Sequence, residues 1–318
     1  PFEEYRTRQK QHHDAEIAAL LDAPHFINRA RELYGYENFV CDSGGSICEV
    51  VNPDTPTDPV LSVLDDVFRS LEIHEPTATI LTAESEGSAS ASYEDISFSY
   101  DARLASRIEV DFIPPFVDEN HDSMFGSQPA YTVFSLFDFP VLTPNTRAML
   151  RVFPVDTFPG ADMVSDQQLA ALRAFMAERP ELVAQTSASG AQPLPILPPI
   201  NAAQLIAAKP MYLEFQNGFG VRFISAYSQA IEPITNAVYY QFMGMTSDGS
   251  HVVSVMFPVN APILPEVDYT TLDYDAFAAG FPQYVVDTLA DLDNLDAGAY
   301  VPDLALLDDL VGSIRIGE

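Results

Sequence analysis

Hydrophobic and polar residues alternate with a period of two over much of the chain beyond residue 93, most regularly over 211–257. That stretch holds the turn sequences Asn217-Gly-Phe-Gly220 and Ser247-Asp-Gly-Ser250, whose glycines tolerate the positive φ of tight hairpin turns. Such alternation is typical of strands with one buried face. We therefore predict an antiparallel meander with one buried face. Further strands are predicted at 96–100, 108–113, 131–137, 149–155 and 313–316.

Helical spacing of apolar residues marks the segments between and after these strands. One helix is predicted to begin at Ser165, a good N-cap residue, and to end before Pro180. Two more are predicted at 274–292, where Pro282 marks a break or a late start, and at 302–311. Helices grouped around antiparallel strands indicate the α+β class, here a β-meander sheet packed by helices.

The first part of the chain has a different pattern, with apolar residues at helical spacing and few strand signals. We predict a small, mainly helical segment over 1–81, a linker over 82–92 and an α+β domain with the antiparallel sheet over 93–318. The linker prediction rests on the small polar residues of 82–92, which have no apolar period. The proline-rich stretch 192–199 predicts an extended surface crossing.

Composition limits the possible partners. The chain has 318 residues, 47% of them hydrophobic, and 46 Asp and Glu against 15 Lys and Arg, for a formal net charge of -31. Binding to phosphate backbones or anionic membranes needs clustered cations, so this composition argues against nucleic acid and against an anionic membrane surface. No apolar stretch reaches the roughly 18 residues of a transmembrane helix. The expected partner is an unknown protein or a small-molecule ligand.

The acidic surface also suggests a habitat. Only two lysines are present, Lys10 and Lys209. A surface rich in carboxylates and poor in lysine stays soluble at high salt, where screening removes the self-repulsion. A saline habitat is one hypothesis, and an acidic secreted protein kept soluble by its charge is the alternative.

No motif in the chain predicts a cofactor, a metal or a catalytic residue. Cys41 and Cys48 alone provide neither a disulfide framework nor a structural zinc site. The turn Asp42-Ser-Gly-Gly-Ser46 lacks the lysine of a phosphate-binding loop. The acids of 291–296 do not match the calcium loop pattern, and His251 is expected to be an exposed residue beside a turn.

The aromatic residues of 211–257 divide into two sets by strand phase. Leu213, Phe215, Phe223 and Phe242 are predicted to be core residues. The other phase presents Tyr212, Arg222 and Tyr239, which we predict as a ligand- or partner-facing surface unless a helix covers them.

Two stretches resemble known families. Residues from Asp14 to about Pro59 resemble a segment of a bacterial ATPase-like family, whose nucleotide-binding loop this segment lacks. The resemblance rests on Ala23-Pro-His-Phe-Ile-Asn-Arg-Ala-Arg-Glu-Leu-Tyr-Gly-Tyr36 and Phe39-Val-Cys-Asp-Ser-Gly-Gly-Ser-Ile-Cys-Glu-Val50.

The region from about Ile96 to the end resembles uncharacterised bacterial secreted proteins of the cell envelope, which are often lipid-anchored. The motifs are Ile96-Ser-Phe-Ser-Tyr-Asp101, Pro193-Leu-Pro-Ile-Leu-Pro-Pro-Ile-Asn-Ala-Ala203, Tyr212-Leu-Glu-Phe-Gln-Asn-Gly-Phe-Gly-Val-Arg-Phe223, Tyr240-Gln-Phe-Met-Gly-Met-Thr-Ser-Asp-Gly249 and Pro258-Val-Asn-Ala-Pro-Ile-Leu-Pro265. This resemblance implies an extracytoplasmic or cell-surface location and no assigned activity.

These observations predict an extracytoplasmic, non-enzymatic binding or structural domain of the bacterial cell envelope. The alternative, from residues 14–59, is a fragment of an ATP-linked enzyme whose nucleotide-binding loop is missing, with a cytoplasmic location.

Overall fold

Two antiparallel sheets and three α-helices form the part of the chain that the computed structural model describes. The described residues are 79–82, 87–118, 125–143, 147–158, 164–189, 193–235, 237–265 and 272–317. All of them belong to one unit of the chain, Pro76–Glu318. The predicted α+β class is therefore confirmed for this unit, whereas the predicted helices of the first 78 residues lie outside the described residues.

The elements are numbered in chain order. The strands are β1 (Thr79–Thr82), β2 (Ser88–Tyr93), β3 (Ile96–Asp101), β4 (Arg107–Ile113), β5 (Tyr131–Phe137), β6 (Ala148–Pro154), β7 (Gln185–Thr186), β8 (Ala203–Phe215), β9 (Gly218–Ser228), β10 (Ala237–Thr246), β11 (His251–Asn260) and β12 (Arg315–Ile316). The α-helices are α1 (Val164–Glu178), α2 (Tyr274–Asn294) and α3 (Leu304–Ser313).

The larger sheet has nine strands in the order β1-β4-β5-β6-β11-β10-β9-β8-β7. All neighbouring strands in it are antiparallel, and the predicted hairpins are its β8–β9 and β10–β11 pairs. The smaller sheet has the order β12-β3-β2 and is also antiparallel.

The larger sheet packs against other elements on both faces, so the prediction of one buried face is wrong. The first face packs against the smaller sheet, α2 and α3, and its apolar residues include Ile108, Phe134 and Val255. The second face packs against α1 and the 194–197 segment, and its residues include Phe153 and Met243. The central strands carry large apolar residues at consecutive positions, such as Val252 and Val253, which alternation alone does not predict.

The linker prediction over 82–92 is wrong for residues 88–92, which belong to β2. Ala89 and Ala91 point into the first-face core at 6% and 2% exposure, while the alternating serines Ser88, Ser90 and Ser92 are exposed. The side chains are too small to produce a visible hydrophobic period, but their alternation fits a close contact between two sheets. Residues 83–86 lie outside the described residues.

The predicted helices and strands of the unit are otherwise present, with changes in their bounds. Helix α1 begins at Val164, so Ser165 lies inside it and is not its N-cap. Helix α3 runs to Ser313, which shortens the predicted last strand from 313–316 to Arg315–Ile316. The helix α2 runs through Pro282 without a break, with Asp273 as its N-cap. Strand β8 begins at Ala203 rather than at residue 211, because a bulge between Ala208 and Met211 accommodates Pro210. The bulge residue Lys209 has φ 50°.

Candidate functional site

Arg222 does not face a partner surface as predicted; it is a core residue of the first face, only 5% exposed. Its Nε and Nη2 donate to Asp308 Oδ1 and Oδ2 of α3 at 3.0 and 2.8 Å. Its Nη1 donates to the Lys209 carbonyl oxygen at 2.9 Å. The acid that satisfies Arg222 comes from a helix 86 residues later, so the strand pattern gave no signal of this pair.

Tyr240 completes the buried polar group around Asp308. Its hydroxyl donates to Asp308 Oδ1 at 2.8 Å. Burial, and next the nearby Asp308 carboxylate, raise the pKa of Tyr240 well above its ordinary value. Arg222, Asp308 and Tyr240 satisfy one another, which leaves this group a structural role in holding α3 on the sheet.

The other two predicted surface residues lie on the second face, away from Arg222. The Tyr212 hydroxyl donates to the Pro180 carbonyl oxygen at 2.9 Å, and its ring lies 6.1 Å from that of Phe175 in α1. Tyr239 is half-buried, with its ring 6.3 Å from that of Tyr227. The structure therefore does not bring Tyr212, Arg222 and Tyr239 into one site.

The 194–197 segment crosses the second face and is held there by side chains from three elements. The Leu194 amide donates to Gln204 Oε1 of β8, and the Ile196 amide donates to Gln168 Oε1 of α1, both at 3.1 Å. The Ser254 hydroxyl of β11 donates to the Leu197 carbonyl oxygen. The predicted surface crossing is thus an irregular segment, as expected, but Leu194 and Leu197 are buried.

Tyr227 lies in a polar group near the start of this segment. Gln204 Nε2 donates to the Tyr227 hydroxyl at 3.1 Å, so the Gln204 amide links the sheet to the covering segment. Burial raises the pKa of Tyr227 to about 12, an effect that the Ser225, Gln204 and Gln241 side chains oppose. The hydroxyl therefore stays protonated at neutral pH and acts as a hydrogen-bonding group.

Arg151 is a buried charged residue on the second face. It lies in β6, opposite Ser254 of β11 and Val133 of β5, and is 9% exposed. Its Nη2 donates to Met149 Sδ at 3.1 Å, and the Tyr131 side chain lies beside it. Burial lowers the pKa of Arg151, since desolvation disfavours the charged form.

No carboxylate pairs with Arg151 among the described residues. The ion pairs of that part of the chain join Arg103 to Asp101, Arg107 to Glu109 and Arg222 to Asp308. This contrast matters because the chain has 46 acidic residues, and a buried cation normally has an acidic partner.

The surroundings of Arg151 combine this charge with apolar and half-buried side chains. Val133 is buried, whereas Tyr131, Met149 and Met256 are half-buried. Met149 and Met256 are paired across β6 and β11, and both share the second face with Arg151. We call Tyr131, Val133, Met149, Arg151 and Met256 the Arg151 site. It combines a guanidinium with thioether and apolar side chains, a combination that can bind an anion that carries an apolar group.

The sequence interpretation missed this site. Arg151 falls inside the predicted strand 149–155, where its neighbours are Leu150 and Val152. The only signal available was a charged residue in the middle of an apolar strand, and that signal is ambiguous because a solvent-facing arginine in a half-buried strand looks the same.

The turn that contains His251 has a local hydrogen-bond network. The Ser250 hydroxyl donates to Asp248 Oδ1 at 2.8 Å and lies 2.8 Å from His251 Nδ1. Hydrogen bonds, first from the Thr246 side chain and then from Ser250, lower the pKa of Asp248 to about 2. The Ser250 hydroxyl thus lies between a carboxylate oxygen and an imidazole nitrogen, and which atom donates in the Ser250–His251 pair depends on the His251 tautomer.

Comparison with known proteins finds no matching family model, no matching curated protein and no matching solved structure. None of the described helices is long and apolar enough to span a membrane. Across the described ranges there is no group of three or more His, Cys, Asp or Glu residues arranged to hold a metal ion.

Proposed function

We propose that this domain is a non-enzymatic binding domain that holds an anionic ligand at the Arg151 site. The observation that carries the proposal is a buried arginine, 9% exposed as a residue, with no carboxylate partner in the described part of a chain of net charge -31. Removing an ion from water costs several kcal/mol unless an opposite charge offsets it. A bound carboxylate or phosphate would supply that charge through charge-assisted hydrogen bonds.

The ligand that fits these surroundings has an apolar part as well as an anionic group. Val133, Met149 and Met256 offer apolar contacts next to the guanidinium, and methionine adapts its shape to different apolar groups. The shared chemistry is an amphiphilic anion, with a carboxylate or a phosphate as its head group.

A location at the cell envelope, outside the cytoplasm, is part of this proposal. Its support is the sequence resemblance of residues from about Ile96 onward, and fractionation of the source cells tests it. The ATP-linked alternative rests on residues 14–59, which lie outside the described residues, and it remains a prediction from sequence.

The test measures binding of octanoate, octyl phosphate and the neutral octanamide to the full chain by titration calorimetry. We expect octanoate or octyl phosphate to bind and octanamide to bind far more weakly. The variant Arg151→Met should reduce affinity for the anion by roughly ten- to a hundredfold, the range that corresponds to losing a charged hydrogen bond. The stronger of the two anions identifies the head group.

The matched control is Arg173→Met, which removes an exposed arginine of α1 and should leave anion affinity unchanged. Urea unfolding checks that Arg151→Met still folds; replacing a buried unpaired cation by a side chain of similar length should not lower its stability. Equal binding of octanoate and octanamide, full affinity in Arg151→Met, or no binding of either anion by the wild-type chain would each overturn the proposal.

A further inference from the structure

A second cluster of arginines lies on the same face as the Arg151 site. The Arg107 guanidinium carbon lies 3.7 Å from the centre of the Phe137 ring, and that of Arg147 lies 5.2 Å from it. Phe137 of β5 is the direct partner of Arg107 in β4. Each cation gains from the negative face of the ring, which helps two like charges to stay close together.

Strand geometry places Arg147 in line with Arg151. Met149 and Arg151 project from the second face of β6, and Arg147, the residue before that strand, reaches the ring of Phe137 on the same face. The Cα atoms of Arg147 and Arg151 are roughly 13 Å apart at the usual rise per residue of a strand. Half-buried Met149 lies midway between the two residues along the chain, and its Sδ accepts the hydrogen bond from Arg151 Nη2 at 3.1 Å, so the Arg151 guanidinium leans toward Arg147.

The ion pairs near Arg147 and Arg151 show which arginines of this face have an acidic partner. Arg107 is ion-paired with Glu109 at 3.0 Å, and Asp111 shares the second face with Glu109 on β4. Arg147 is exposed and has no ion pair among the described residues. Within the described ranges, Arg147 and Arg151 are therefore the two arginines near Met149 that lack an acidic partner.

We propose that the ligand of the Arg151 site is an elongated dianion with an apolar middle, whose second anionic group binds Arg147. This inference rests on the proposed function, since it assumes that Arg151 binds the first anionic group. The ligand would lie along β6, with its middle over Met149. An α,ω-dicarboxylate has this chemistry, with a carboxylate at each end of a methylene chain.

The experiment compares decanoate, decanedioate and butanedioate on the full chain by titration calorimetry. We expect decanedioate to bind about tenfold more tightly than decanoate, as one added charged hydrogen bond would give. Butanedioate lacks the long methylene chain that would contact Met149, so it should bind more weakly than decanedioate. The variant Arg147→Gln should reduce the affinity for decanedioate to that for decanoate and leave the affinity for decanoate unchanged. The control variant Arg173→Gln should change neither affinity.

The outcomes separate this inference from the proposed function. If decanoate binds through Arg151 but decanedioate binds no more tightly, the proposed function stands and the dianion inference is overturned. The dianion inference is also overturned if butanedioate matches decanedioate or if Arg147→Gln retains the advantage of the diacid. If neither decanoate nor decanedioate binds, the proposed function itself fails.

Discussion

Two buried arginines lie on opposite faces of one sheet and meet opposite surroundings. Arg222 donates to both oxygens of Asp308 and to a backbone carbonyl oxygen. Arg151 donates to a thioether sulfur, a weak acceptor. Both residues are under a tenth exposed, so burial alone does not distinguish a structural arginine from a binding one. The chemistry of the partner makes that distinction.

Removing the partner of Arg222 should destabilise the fold. The variant Asp308→Asn keeps the shape of the side chain but leaves the buried Arg222 guanidinium without a counter-charge. We expect the free energy of unfolding to fall by about 2 kcal/mol or more. This is somewhat below the range for a fully buried pair, because Asp308 is partly exposed. Urea unfolding measures this loss. The neighbouring and exposed Asp309→Asn is the control and should change stability by less than about 0.5 kcal/mol. Equal effects of the two variants would contradict a structural role for the ion pair.

The sequence predicted the strand that contains Arg222 but not the environment of the residue. Whether a charged residue of a strand faces water or a helix depends on which element covers that face, and α3 is distant along the chain. For the same reason Tyr212 and Tyr239 were grouped with Arg222, although they lie on the second face. Arg151 could not be recognised as a site, because its surroundings are visible only when the neighbouring strands are in place.

At the level of elements, prediction succeeded where side chains are large and failed where they are small. The hairpins of β8–β9 and β10–β11 follow from long alternating runs with glycine turns. Strand β2 consists of serine, alanine and one tyrosine, and that composition resembles a flexible linker. Its order comes from pairing with β3, which supplies Ile96, Phe98 and Tyr100 to the first-face core.

A pair of substitutions tests whether β2 is a strand with one buried face. Ala91→Asp places a carboxylate in the first-face core, and we expect it to lower the free energy of unfolding by about 3 kcal/mol or more, because the core around it is made of apolar side chains. Ser90→Asp, one residue away on the exposed side, should change it by less than about 0.5 kcal/mol. Urea unfolding of both variants is the measurement. Similar small effects at both positions would instead match the linker that the sequence suggested.

At the scale of the whole molecule, the net charge of -31 acts against the compact state. The carboxylates repel one another more strongly when the chain is folded than when it is extended, and this self-repulsion weakens as ionic strength shortens the Debye length from about 10 Å at 0.1 M to about 3 Å at 1 M. The free energy of unfolding should therefore rise with potassium chloride concentration. Urea unfolding at low and molar salt measures the change.

The salt concentration at which the free energy of unfolding stops rising separates the two hypotheses for the acidic surface. Screening is nearly complete once the Debye length is shorter than the spacing of surface charges, so an acidic secreted protein should stop gaining stability well below about 1 M salt. A protein of a saline habitat should continue to gain stability at molar salt, the condition to which its charged surface is adapted. No gain at any salt concentration would remove the saline-habitat hypothesis, because repulsion among the 46 acidic residues would then not limit the stability of the fold.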